Sequence, residues 1–183
     1  MVHGLMSKKT RAAAFGAFVG VFLAAYSIGG LYKMSEEDAN NFVNEFHGAV
    51  QEIDAIGIFS HNISVALPMF IPAFGLAWGS YTAWSTGAAF AALTANNPIL
   101  ANLPPVSIFL FSPFGPLELG AYSLAMSRSF LVLFRIIRRN PIRKEALPTA
   151  IEVGIVFALL LIAGFIEYDM ISHAETHVSL SKP

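Results

Sequence analysis

Residues 55–117 read AIGIFSHNISVALPMFIPAFGLAWGSYTAWSTGAAFAALTANNPILANLPPVSIFLFSPFGPL, 63 consecutive positions without an Asp, Glu, Lys or Arg. Asp54 and Glu118 bound the stretch. A helix needs about 20 apolar residues to cross the hydrocarbon core of a bilayer, so this interval has room for more than two. The whole chain agrees. Charged residues make up 13% of its 183 positions and apolar ones 55%, with a mean hydropathy of +0.61. A soluble domain carries about 25% charge. The composition predicts an all-α, polytopic membrane protein forming a single membrane domain, residues 1–183. It argues against a soluble enzyme, a disordered chain and a fibrous protein. A net charge of −1 argues against a globally basic nucleic-acid binder. Without cysteine there is no disulfide, thiolate metal site or Cys nucleophile.

Outward from the uncharged stretch, residues 12–32 are also free of charge. Ser7-Lys8-Lys9-Thr10-Arg11 before them would suit a signal peptide, but the segment is read as the first span, about 12–32. Ser35-Glu36-Glu37-Asp38 has the form of a capping box. Behind it, Ala39, Phe42, Val43, Phe46, Ala49, Val50 and Ile53 recur at helical steps opposite a polar face. The pattern predicts an amphipathic interfacial helix over about 36–56. Its acidic polar face gains little from anionic lipid, so the aromatic stripe must hold it in place.

Within the uncharged stretch, Pro68 and Pro72 each remove a helical hydrogen bond. Gly75, Gly79 and Gly87 permit close backbone approach. Spans are expected at about 57–77 and 79–96. Asn96-Asn97-Pro98 and Pro104-Pro105 bound a loop. Residues 106–112 are apolar but too short to cross, and Ser112-Pro113-Phe114-Gly115-Pro116 interrupts them, which suggests a broken or re-entrant element near 106–116. Further spans follow at about 116–138 and 149–168, with Thr149-Ala150-Ile151-Glu152 as a second capping box. The basic residues Lys8, Lys9 and Arg11, and then Arg135, Arg138, Arg139, Arg143 and Lys144, fall on one side if five spans separate the ends. By the positive-inside rule the N-terminus is cytoplasmic and the C-terminus outside the cell membrane.

Three segments carry a resemblance. Phe59-Ser60-His61-Asn62-Ile63-Ser64-Val65-Ala66 is similar to an aromatic–x–x–Asn–Asn–x–x–x–Ala pattern, with Gly75 and Gly79 after it. Pro113-Phe114-Gly115-Pro116-Leu117-Glu118-Leu119-Gly120-Ala121 is similar to Pro–His–Gly–x–x–Glu–x–x–Ala. Ile162-Ala163-Gly164-Phe165-Ile166-Glu167 is similar to a closing Ala–x–x–Ile–Glu. Together, over about residues 55–170 and in this order, they resemble the stage II sporulation protein M family of bacterial and archaeal membrane proteins. Phe114 stands where that family usually has His, and His61 replaces the first of its two Asn. In spore formers the family member is part of an engulfment machine that contains a peptidoglycan hydrolase. The resemblance implies a multi-pass fold and a place in a membrane assembly.

The candidate polar residues follow from the topology. His61 and Asn62 begin the second span on the outer side, Glu118 begins the fourth there, and Glu167 ends the fifth there. All four share a depth. Glu118 can cap the break after Pro116, where the helix dipole favours an anion, or take part in a polar site. An intramembrane ionisable cluster suggests a site, but it also serves as a staple between broken helices. On the inner side Arg128 has Glu152 as a candidate partner, although Glu152 also fits the capping box with Thr149. His173 and His177 share a helical spacing, but two imidazoles fall short of a zinc site and His-Glu-x-x-His is absent. No metal, cofactor or catalytic residue is expected, and the chain reads as a non-enzyme. The expected partners are the lipid bilayer and further copies of the chain or other membrane subunits. The primary expectation is a non-catalytic assembly or scaffold subunit. The alternative is a small transporter or channel subunit with a polar site at its broken helices.

Overall fold

A computed structural model describes residues 7–51, 53–95 and 103–180, and among them all regular structure is helical. Seven α-helices run in order: α1 (Lys8–Gly29), α2 (Glu36–Gln51), α3 (Ala55–Ala66), α4 (Phe74–Ala95), α5 (Pro105–Phe111), α6 (Gly115–Ile137) and α7 (Ala146–Leu180). Short 3-10 turns at Leu67–Phe70 and Ile142–Glu145 extend α3 and precede α7. Three segments are long and apolar enough to cross a membrane: Lys8–Gly29, Gly115–Ile137 and Ile142–His173.

Local chemistry sets the boundaries. Ser7 starts α1 by accepting the Thr10 amide at 3.1 Å. Ser35 accepts the Asp38 amide at 3.1 Å and donates its hydroxyl to the Asp38 carboxylate at 2.6 Å, so α2 begins on a side-chain cap. The interfacial helix expected over 36–56 ends earlier, at Gln51. Asp54 does not continue it. Its carboxylate accepts the Gly57 amide at 2.7 Å and starts α3. Side chains 45–47 and 49–51 of α2, including Phe46 and Val50 of its apolar stripe, lie outside the described residues, as does the loop at 96–102.

The largest difference from the expected layout is in the middle. The division between spans, placed at residue 78, falls at Ile71-Pro72-Ala73. Pro68 is accommodated at the start of the 3-10 turn, where its missing N–H costs nothing. The chain then reverses through Pro72 and through Ala73, which is held at φ 67, a conformation unusual for a residue with a side chain. Carbonyls around the turn accept from side chains. Ser129 of α6 donates to the Ile71 carbonyl at 2.6 Å, and the Trp78 indole donates to the Val65 carbonyl at 3.0 Å. The uncharged stretch therefore forms a shorter α3 and a 22-residue α4, the latter diluted by Gly, Ser, Thr and Tyr. The last helix also differs. It continues beyond Tyr168 to Leu180 instead of ending in a tail.

α6 is the central element, buried along much of its length. It packs on α1, α4 and α7. α1 and α4 meet backbone to backbone, since a methyl at Gly87 would strike the Tyr26 carbonyl and one at Gly29 would strike the Trp84 carbonyl. α5 is the short element expected before Pro116. It drives Phe109, 2% exposed, into the bundle. There its ring stacks on Tyr26 at 4.9 Å and on Phe22 at 6.3 Å between centroids, and Phe22 stacks in turn on Tyr122 at 5.7 Å.

Candidate functional site

Two polar clusters are buried along α6. The first is at its N-terminal end. Ser112 caps the helix by accepting the Gly115 amide at 2.9 Å, so Glu118 is released from the capping role open to it in the sequence. Its carboxylate, in the first turn, accepts instead from the Asn62 side-chain amide of α3 at 2.7 Å. Both residues are buried. Glu167 of α7 is partly buried and within electrostatic range of Glu118. The structure thus brings together Asn62, Glu118 and Glu167. It does not bring in His61, which is exposed. Adjacent residues on a helix point about 100° apart, so burying Asn62 turns His61 outward.

Tyr26 and Tyr122 are within electrostatic range of Glu118, and sequence reasoning missed both. Tyr26 is completely buried, and its hydroxyl has no hydrogen-bond partner among the described residues. The Ser123 hydroxyl is buried in the same condition. A buried polar group without a partner costs about 1–3 kcal/mol, which makes such groups informative. A carboxylate held by one amide, a second carboxylate nearby and an unsatisfied phenol together can accept a proton or a small cation.

The second cluster is at the other end of α6. Arg128 meets Glu152 through Nε at 2.8 Å and Nη2 at 2.5 Å, and meets Glu145 through Nη1 at 2.6 Å. Arg11 of α1 grips the same Glu152 from another side, through Nε at 2.6 Å and Nη2 at 2.8 Å. Each Glu152 oxygen thereby accepts from both guanidiniums. Arg11 donates further to the Ser127 hydroxyl at 2.7 Å, and Arg135 pairs with Glu145 at 2.6 Å. Of this network the sequence suggested only Arg128 and Glu152. The helix starts at Ala146, so Thr149 is inside its first turn and the Glu152 carboxylate is spent on arginines rather than on a cap. Arg11 and Arg135 were read only as part of the basic flanks, and Glu145 went unnoticed. A signal existed: Glu145 is the only acid between Arg135 and Lys144 on one side and Glu152 on the other.

Between the clusters α6 and α7 carry the fully buried Ala121, Ala125, Val156, Leu160 and Ala163, and fully buried Met126 packs on Gly79 of α4. His173, on exposed α7, directs Nδ1 to the Asp169 carbonyl at 2.7 Å; the His177 side chain lies outside the described residues. Among the described residues there is no group of three or more His, Cys, Asp or Glu side chains placed to hold a metal ion. Comparison with family models, with curated proteins and with solved structures finds no match to this chain.

Proposed function

We propose that the chain is a five-span membrane subunit that works without catalysis, as an assembly or scaffold component of a membrane complex related to the stage II sporulation protein M family. The spans are α1, α3 with its 3-10 extension, α4, α6 and α7, with the N-terminus cytoplasmic and the C-terminus outside. α3 and its extension reach about as far as a bilayer core at the rise of each helix type, and α4 returns over 22 residues. The motif-like segments at 59–66, 113–121 and 162–167 support the family relation. The observation that carries the scaffold reading is the partnering of Glu152, whose four hydrogen bonds tie together helices from both ends of the chain. Charges spent on one another, with an apolar layer beyond them, hold helices in place rather than line a passage.

The test is native mass in mild detergent with co-purifying proteins identified. A stable oligomer or a stoichiometric membrane partner is expected, and a solitary monomer would overturn the reading. For the topology, Ser7→Cys and Asn140→Cys should be shielded from an impermeant thiol reagent in intact cells while Ser179→Cys reacts.

A second reading rests on the unpartnered hydroxyls of Tyr26 and Ser123. Both are near the carboxylate end of α6, and they suit a proton or cation site in a small transporter. Under that reading Glu118→Gln abolishes transport with folding intact. Under the scaffold reading the same substitution is mild.

A further inference from the structure

A groove of about 500 Å³ opens between the first turns of α1, the second half of α6 and the start of α7. This is within the usual range of small-molecule sites, roughly 300–1,000 Å³. Its polar end carries three cations, Lys8, Arg11 and Arg128, against two carboxylates, Glu145 and Glu152. Glu145 is shared with Arg135 and Glu152 is shared between two arginines, so the carboxylates are already committed. Lys8 is exposed at the rim and has no acidic partner among the described residues. The polar end therefore keeps a surplus of positive charge next to groups that are almost wholly buried. Such a surplus in a low-dielectric setting calls for an anion. One turn further along the same three helices the lining is apolar, a wall made by Phe15, Leu131 and Ile155. Ile155 is 44% exposed, on a helix long and apolar enough to cross a membrane.

We propose that this groove binds an anionic glycerophospholipid, with the headgroup phosphate on Lys8 and Arg11 and one acyl chain along Phe15 and Ile155. Free phosphate would satisfy the cations but leave the apolar wall bare, and the wall is what selects a lipid. Basic recesses between membrane helices, on the side rich in Lys and Arg, are suited to acidic headgroups. The proposal rests on the chain being embedded in the membrane but not on the scaffold reading. Bound lipid at this place would complete the charge balance of the network that joins α1, α6 and α7.

The full chain, reconstituted in phosphatidylcholine nanodiscs with and without phosphatidylglycerol, provides the test. After release into the gas phase, phosphatidylglycerol should be retained in preference to phosphatidylcholine, and it should raise the melting temperature where inorganic phosphate does not. Lys8→Ala should weaken retention about fivefold, the worth of one lysine at an anionic surface, and Lys8→Glu more. Lys8 is exposed, so neither variant should alter melting in pure phosphatidylcholine. Ala12→Trp, which fills the groove from an exposed position, should abolish selectivity with the fold intact. Equal retention of both lipids would overturn the proposal, as would protection by inorganic phosphate or unchanged selectivity in the Lys8 variants. Extraction of the chain by alkaline carbonate without detergent would instead overturn the membrane reading beneath it.

Discussion

The two ends of α6 treat buried charge in opposite ways. At its start a carboxylate, Glu118, is satisfied by a single neutral amide, with another acid and an unpartnered phenol within electrostatic range. At its other end, ten residues and about 15 Å further on, Glu152 and Glu145 face three guanidiniums and collect bonds from every direction. The helix dipole explains part of the contrast, because an acid in the first turn is favoured by the free amides and Arg135, in the last turn, by the free carbonyls. The rest is a difference of purpose. The arginine network leaves its carboxylates no capacity to change partners, which suits a joint. The Glu118 cluster is under-partnered, which suits a group that exchanges something or that is completed by another molecule.

Substitutions at four positions would sharpen or break this comparison. The largest effect is expected from Glu152→Leu, which leaves Arg11 without a carboxylate and Arg128 with Glu145 alone, itself shared with Arg135. Removing one member of a buried ion pair costs about 3–5 kcal/mol, and thermal melting in detergent should show a loss of that order. A loss below about 1 kcal/mol would demote the network to surface-type pairing. Glu118→Leu comes next, at about 1–3 kcal/mol, since the Asn62 amide is then buried without an acceptor. Glu118→Gln should recover most of this, because the amide oxygen still accepts. Equal damage from both would mean that the charge itself, and not the hydrogen bond, is required. Ser129→Ala removes the hydroxyl that supports the Ile71 carbonyl and should cost about 1 kcal/mol, read as a lower melting temperature with unchanged detergent-bound mass. The smallest change is expected from Tyr26→Phe. Deleting an unpartnered hydroxyl should leave stability level or slightly raised, and a clear loss on melting would reveal a partner such as a bound water or ion.

Much of the fold is legible in the sequence because lipid imposes a simple rule. The absence of charge from 55 to 117 requires buried or lipid-facing helix, and Pro113–Pro116 cannot continue one. The break before α4 is misplaced by several residues because Gly75 and Gly79 look like the weaker joint. In the fold they serve inside the helix, and Pro72 with Ala73 makes the turn. The Glu118 cluster was partly readable, since the expected five-span layout puts Asn62, Glu118 and Glu167 at one level. His61 was not separable from Asn62 without the phase of α3. The arginine network was the hardest to see. Arg11 and Glu152 are 141 residues apart, and no local pattern marks one as the partner of the other.

That separation has a consequence for how the protein is made. A chain emerging from the ribosome exposes Arg11 first and Arg128 much later, while the acid that both bind follows later still. Until then the two arginines share no carboxylate, and α1 and α6 have no ionic reason to keep their final places. The seventh helix therefore brings the last ionic tie between α1 and α6. A nascent chain that ends between Glu145 and Glu152 can pair Arg128 with Glu145 but leaves Arg11 without a carboxylate, so the junction between the first and last helices is still open.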